Sequence, residues 1–168
     1  MGSKEHSFDV VSEVSFMELD NAVGQVKKEL SQRFDFKGSM ASVDLDKTEK
    51  KITLKAENDY KIKALADMLQ AKCAKRGVSL KALQFGKPEA GFVGGSVQQV
   101  VTIQNGIPSE KAKEIVRAIK DAKMRGVQPS IQSEQVRVQS PKIDDLQGAI
   151  AFLKARDFGI DLQFVNYR

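Results

Sequence analysis

The sequence predicts an α+β fold made of two copies of a β-α-β-β-α-β unit. Strand and helix patterns alternate along the chain, a glycine-rich segment divides it, and short motifs recur across the division. MLQAK at 68–72 resembles FLKAR at 152–156, and GVSL at 77–80 resembles GIDL at 159–162. A duplicated unit of this kind is the ferredoxin-like arrangement, in which two helices cover one face of a four-stranded antiparallel sheet.

The first half contains two predicted helices with identifiable ends. Ser15 and Glu18 have the spacing of a capping box, and an apolar stripe of helical period follows them. A second apolar stripe spans about 59–76, and Gly77 is placed to end that helix. Strands are predicted at 8–14, at the segment containing RFDF, at 52–58 and at 78–85.

The segment GKPEAGFVGGS at 86–96 separates the two halves, because a composition rich in glycine resists regular structure. We therefore predict a first repeat at 8–86, a linker at 87–96 and a second repeat at 97–168. The elements expected in the second repeat are a strand at 97–104, a helix from about Ser109, a hairpin turning at Ser133–Glu134, a helix starting at Ser140–Pro141 and a strand at 161–167.

The stretch SQRFDFKGS alternates phenylalanines with charged residues. Read as a strand, it places Phe34 and Phe36 on one face. The other face then carries Arg33, Asp35 and Lys37. We predict that the helices cover the phenylalanines, so that the charged side chains are the ones available to a ligand.

The ends of the fourth strands indicate a contact face. Leu83 and Phe85 in one repeat, and Val165 and Tyr167 in the other, have the parity opposite to the residues expected to face the helices. A contiguous apolar patch on an open sheet face usually marks a contact. The covering is either the other domain or a second subunit, or a nucleobase stacked on Phe85 or Tyr167. The pattern is compatible with both.

Basic side chains near these rings complete a candidate nucleotide site. Arg33, Lys37 and Arg137 lie on neighbouring predicted strands with their side chains on the charged faces, where they could donate to phosphate oxygens. The predicted nucleotide-binding residues are therefore Arg33, Lys37, Phe85, Arg137 and Tyr167.

The composition favours an anionic partner and disfavours catalysis. Lysine and arginine number 27 against 22 aspartates and glutamates, a net charge of +5. The only histidine, His6, falls in a predicted tail, and the only cysteine, Cys73, falls on an apolar helix stripe. We therefore predict no catalytic residue, no metal site and no cofactor. No apolar run approaches the length of a membrane span, and we expect a cytoplasmic protein.

Six segments, taken in order, resemble the YajQ family of bacterial proteins. They are FDVVSEV near the start, QRFDFKGS, ALQFGKPE, KDAK, DDLQ and the final DFGIDLQFVNYR. The resemblance covers about residues 7–168. It implies two ferredoxin-like domains that exchange their first strands, so that 8–14 completes the second sheet and 97–104 completes the first.

The resemblance also implies a function. Members of the family are expected to bind a purine nucleotide such as GTP or ATP, or RNA, and some to sense cyclic di-GMP with a transcription regulator as partner. We therefore expect a non-enzymatic nucleotide-binding protein with a regulatory role. A general RNA-binding module and a protein-interaction scaffold are the alternatives.

Overall fold

The chain folds into helices and antiparallel strands, which the computed structural model describes for residues 5–91 and 93–168. The helices in these residues are α1 Phe16–Gln32, α2 Asp59–Lys75, α3 Ser109–Asp121 and α4 Ile143–Lys154. The strands in the same residues are β1 His6–Val11, β2 Ser42–Asp46, β3 Lys51–Ala56, β4 Leu83–Phe85, β5 Glu89–Ala90, β6 Val97–Ile103, β7 Gln128–Gln132, β8 Gln135–Ser140 and β9 Gln163–Val165.

The strands form two antiparallel sheets, so the predicted α+β class is confirmed. One sheet has the order β7-β8-β1-β9, and the other has the order β2-β3-β6-β4 with β5 paired to β6. β1 pairs with β8 and β9, whereas β6 pairs with β3 and β4. The other strands in the sheet of β1 all lie beyond residue 127, whereas the other strands in the sheet of β6 all precede β6 in the sequence.

The described residues group into two compact units. Residues 14–104 form one, which we call the β6 unit. Residues 5–13 and 105–168 form the other, which we call the β1 unit. No helix in the described residues is both long and apolar enough to cross a membrane.

In the β6 unit, α1 and α2 pack against the sheet. Ser15 caps α1 as predicted, because its Oγ accepts a hydrogen bond from the Glu18 amide at 3.3 Å. Gly77 ends α2 with a φ of 77°, a left-handed conformation that glycine adopts without a steric penalty. Cys73 is buried in the core, as predicted. Other core residues of this unit are Leu19, Val26, Ile52, Leu54, Leu65, Leu69 and Val101.

In the β1 unit, α3 and α4 pack against the sheet that contains β1. Its core residues include Phe8, Val10, Ile115, Ile119, Val136, Val138 and Leu153. The predicted helix start at Ser140–Pro141 is wrong, because α4 begins at Ile143. Ser140 instead ends β8, where it is fully buried opposite His6 and accepts a hydrogen bond from the Lys142 amide at 3.2 Å.

Other boundaries differ from the predictions. β1 begins at His6, so this histidine lies in a strand and not in a tail. Glu89–Ala90 pairs with β6, so the predicted linker contains regular structure. The strands expected at 78–85 and 161–167 are limited to β4 and β9. In the first of these, a 3₁₀ turn at Leu80–Ala82 occupies the positions before β4.

Candidate functional site

The RFDF stretch forms a 3₁₀ turn at Phe34–Phe36 and not the predicted strand. Phe36 is buried, as predicted, but Phe34 is 89% exposed, so its predicted place in the core is wrong. A 3₁₀ helix has three residues per turn, and residues two positions apart therefore point in different directions. Gly38 follows with a φ of 73° and leads the chain towards β2.

Charged side chains stabilise this turn. The Arg33 guanidinium donates hydrogen bonds to both carboxylate oxygens of Asp35, at 3.0 and 2.8 Å. These hydrogen bonds raise the pKa of Arg33 and lower the pKa of Asp35. The Arg33 guanidinium also lies 5.3 Å from the centre of the Phe36 ring, and Lys61 Nζ lies 5.6 Å from the same centre. Arg33 is therefore held in place at the carboxyl end of α1.

α1 and α2 run antiparallel and leave a groove on their outer surface, which we call the α1–α2 groove. At one end, Arg76 just after α2 lies 3.8 Å from Glu18 near the start of α1. At the other end, Arg33 just after α1 lines a hollow together with Tyr60 near the start of α2. The groove contains two neighbouring hollows.

The first hollow, which we call the Tyr60 hollow, combines an aromatic ring with small apolar side chains. Its volume is about 520 Å³, within the range of small-molecule sites. Tyr60 is 76% exposed, so its ring is open to contact. The lining residues are Glu29, Arg33, Tyr60, Lys63, Ala64, Asp67, Met68, Ala71 and Lys72.

The second hollow, which we call the lysine hollow, is polar and cationic. Its volume is about 510 Å³, and it shares Glu29 and Lys72 with the Tyr60 hollow. The lining residues are Gln25, Lys28, Glu29, Gln32, Lys72, Lys75 and Arg76. Over both hollows, six lining side chains are cationic and two are acidic. The groove therefore attracts anions.

Acidic neighbours engage only part of this positive charge. Glu29 pairs with Lys72 at 3.3 Å and with Arg33 at 3.9 Å, and Glu18 pairs with Arg76. These side chains are partly exposed, so such pairs are weak and exchangeable. The cations of the groove that make no ion pair with any described residue are Lys28, Lys63 and Lys75.

Sequence reasoning missed most of this groove. The cations Lys72, Lys75 and Arg76 lie at the end of α2, where they interact favourably with the helix dipole without a ligand, so their pattern alone does not predict a site. Tyr60 is not among the binding residues that the sequence predicts. The available signal was an aromatic residue in the first turn of α2, outside the apolar stripe that contains Ile62 and Leu65.

Arg137 belongs to a charge cluster around the buried carboxylate of Asp9 in the β1 unit. Its Nε donates to Oδ1 of Asp9 at 2.9 Å, and Nδ2 of Asn166 donates to Oδ2 at 2.9 Å. Nη1 of Arg168 lies 3.9 Å from Oδ2. Burial raises the pKa of Asp9, but the hydrogen bonds and charges of these neighbours outweigh that effect, so the pKa of Asp9 lies below its usual value. Arg137 is therefore already engaged by a carboxylate.

Tyr167 lies on the side of its sheet opposite to the predicted one. β9 pairs with β1 in simple alternation, but beyond it Ser7 exchanges two backbone hydrogen bonds with Arg168. The pairing therefore accommodates one extra residue, at a bulge where Asn166 has a φ of 56°. The bulge turns Tyr167 towards Phe8, and the two ring centres are 6.4 Å apart.

Phe85 also lies on the side opposite to the predicted one. The 3₁₀ turn before β4 shifts the alternation, so that Leu83 and Phe85 pair opposite Ile103 and Val101 and pack in the core.

Lys37 is exposed and makes no ion pair with a described residue. Of the five residues predicted from the sequence, Arg33 alone lines the groove. A role for the other four in binding stays a prediction.

Cys73 lacks the environment of a nucleophile. Burial raises the pKa of its thiol to about 11, so the thiol is protonated at neutral pH.

Within the part of the chain that the structure describes, no group of three or more His, Cys, Asp or Glu side chains is arranged to hold a metal ion.

Comparison with known proteins gives matches over nearly the whole chain. The family model described as "Nucleotide-binding protein YajQ-like" matches residues 6–168. A protein of Geotalea uraniireducens is 51% identical over 162 residues, which cover 96% of this chain and 98% of that protein. A protein of Carboxydothermus hydrogenoformans is 48% identical over 166 residues, 99% of each chain. A protein of Endomicrobium trichonymphae is 50% identical over 162 residues, 96% of this chain and 97% of that protein. All three are named "Nucleotide-binding protein".

Proposed function

The chain belongs to the YajQ-like family, and on that premise we propose that it binds a nucleotide in the α1–α2 groove without altering it chemically. The names of its relatives support the class of ligand. The proposed location is supported by one observation: an aromatic, partly apolar hollow lies next to a cationic hollow, and the two share lining residues. A nucleotide has the same division, with a flat base at one end and phosphates at the other.

The base occupies the Tyr60 hollow in this proposal. Stacking on an aromatic side chain contributes roughly 1 to 3 kcal/mol per base and tolerates any base, because every base has a π face. Ala64, Met68 and Ala71 supply apolar contact beside the ring. The contribution of Tyr60 is therefore similar for different purine nucleotides.

The phosphates occupy the lysine hollow. Lys28 and Lys75 have no acidic partner among the described residues, so a phosphate meets them without breaking an ion pair. Arg76 offers a planar guanidinium that matches two phosphate oxygens at once. Charge-assisted hydrogen bonds from these groups are the stronger class in proteins. The contribution of the lysine hollow therefore grows with the phosphate charge of the ligand.

The ligand in this proposal is a purine nucleotide such as GTP or ATP, or cyclic di-GMP, and the purpose is regulatory. The family resemblance suggests a transcription regulator as the partner that responds to the bound state. The alternative function is a general RNA-binding module, in which the same cations contact successive phosphates of an RNA backbone. The affinity for an unstructured RNA would then fall steeply with salt concentration, because each phosphate contact releases counterions.

Calorimetric titration of the full chain with GTP, GMP, ATP and cyclic di-GMP tests the proposal. Tyr60→Ala should weaken the binding of all four, and Lys75→Ala should weaken the binding of GTP more than that of GMP. Lys113→Ala on α3 is the matched control, since it removes the same charge from a helix of the β1 unit. If the wild-type chain binds and both groove variants bind equally well, the groove is not the site.

We also propose that the two units are ferredoxin-like domains with exchanged first strands, corresponding to the repeats at 8–86 and 97–168 with a linker at 87–96. The pairing of β1 with β8 and β9, and of β6 with β3 and β4, supports this proposal. Two helices packed on each sheet also support it.

A further inference from the structure

Glu29 lies where the two hollows of the α1–α2 groove meet. It is the only acidic side chain among the described residues that lines both of them. One carboxylate oxygen lies 3.3 Å from Nζ of Lys72 across the groove, and the other lies 3.9 Å from Nη1 of Arg33 one helical turn away. A single carboxylate therefore bridges the two helices at the centre of the groove.

The two cations that Glu29 engages are both partly shielded from solvent. Arg33 is held by Asp35 and by the Phe36 ring. The Lys72 side chain is 23% exposed, so its position is more restricted than that of a fully solvated lysine. Ordered, partly desolvated donors bind anions more strongly than freely moving ones. These donors are already occupied by an anion of the protein itself.

We infer that Glu29 is an internal competitor that occupies the position of a ligand phosphate. This inference rests on the proposed function and concerns how the same site distinguishes nucleotides with different numbers of phosphates. A carboxylate and a phosphate accept hydrogen bonds from the same N–H groups, so a bound phosphate must displace Glu29 from Lys72. The Glu29 carboxylate also repels phosphates bound near it, and this repulsion grows with the phosphate charge of the ligand. Glu29 therefore weakens the binding of nucleotides that carry several phosphates more than the binding of nucleotides that carry one.

The variant Glu29→Gln tests this inference, because it removes the charge and keeps the shape of the side chain. Its affinity for GTP should rise roughly threefold to fivefold, the size expected for one partly exposed charge pair. Its affinity for GMP should rise less, so the ratio of the two affinities changes. When Glu29→Gln is added to the variant Lys72→Ala, it should no longer raise the affinity for GTP, because the cation that Glu29 occupies is already absent.

Glu114→Gln is the matched control, since Glu114 pairs with Lys111 on α3 at 3.6 Å and its loss changes the net charge equally. This control should leave both affinities unchanged. Equal affinities of the wild type and Glu29→Gln would contradict the inference, and so would weaker binding by the variant, which would make Glu29 a positioning residue for Lys72. Absence of nucleotide binding by the wild type would instead contradict the proposed function itself.

Discussion

The carboxylate of Asp9 accepts a hydrogen bond of 2.9 Å from Nε of Arg137, although 128 positions separate the two residues in the sequence. They are direct cross-strand neighbours on β1 and β8. Asp9 is fully buried, and a buried charge is tolerated only where it is paired and hydrogen-bonded. The pair therefore ties the first strand of the chain to the second half of the sequence.

Asp9→Asn should destabilise the protein at neutral pH by about 2 to 4 kcal/mol, because it leaves Arg137 without its charged acceptor. The hydrogen bonds and charges around Asp9 hold its pKa in the folded protein below the usual value for an aspartate. The stabilisation is therefore fully present above the pKa of the unfolded chain and is lost as the pH falls through the lower folded pKa. Urea unfolding of both proteins at neutral pH and at decreasing acid pH measures this. A difference in unfolding free energy that stays constant with pH would argue against the pair.

A fragment of residues 97–168 should not fold cooperatively. It lacks β1, the strand that pairs with both β8 and β9, and its own β6 lies in the other sheet. The fragment 14–104 is the control, since it contains every strand of its sheet and should unfold cooperatively. Circular dichroism during urea unfolding distinguishes the two. A cooperative transition for 97–168 alone would contradict the proposed strand exchange.

Phe85→Ala should lower stability more than Tyr167→Ala. Loss of a fully buried phenylalanine costs about 3 to 5 kcal/mol, so the half-buried Phe85 should cost about 2. Tyr167 is 61% exposed, and the loss of its contact with Phe8 should cost about 1 kcal/mol. Thermal unfolding gives the stabilities, and titration with GTP below the melting temperature gives the affinities. Unchanged stability with weaker GTP binding would show that these rings contact the ligand.

Cys73 should resist alkylation in the native protein. Its thiol is buried and its pKa is about 11, so almost no thiolate exists at neutral pH. Iodoacetamide should therefore modify Cys73 only after urea unfolding, as mass spectrometry of the intact protein would show. Rapid modification of the folded chain would mean that α2 opens locally without global unfolding.

The sequence predicted most of the regular elements, because their signals are local. Ser15 caps α1 through its own side chain, and Gly77 ends α2 in a conformation that favours glycine. The hairpin turn at Ser133–Glu134 was also confirmed, between β7 and β8. In each case the residue that determines the boundary is at the boundary, so a single sequence is sufficient.

Side-chain direction near irregular backbone could not be predicted in this way. Strict alternation placed Phe34 in the core and Tyr167 on the open face, and both expectations are wrong. The 3₁₀ turn directs the Phe34 side chain to solvent, and the bulge at Asn166 moves the Tyr167 side chain to the other face of the sheet. One residue added to a strand, or removed from it, moves every following side chain to the opposite face. Alternation alone does not reveal where such a residue lies.

The groove could not be predicted because it belongs to two helices at once. Glu29 and Lys72 are distant in the sequence, and each appears as an ordinary charged residue on the solvated face of a helix. Their ion pair depends on the antiparallel packing of α1 and α2. That packing is a property of the tertiary structure and leaves no local signal.

The most direct test of the central claim is to map the bound nucleotide on the full chain by nuclear magnetic resonance. Titration of isotope-labelled protein with GTP should shift the amide signals of the groove, at residues 25–33 and 60–76, and the ring signals of Tyr60 should move with them. The β1 unit should change little. Shifts confined to β8, β9 and the surroundings of Arg137, with the signals of Tyr60 and Lys72 unmoved, would contradict the proposed site.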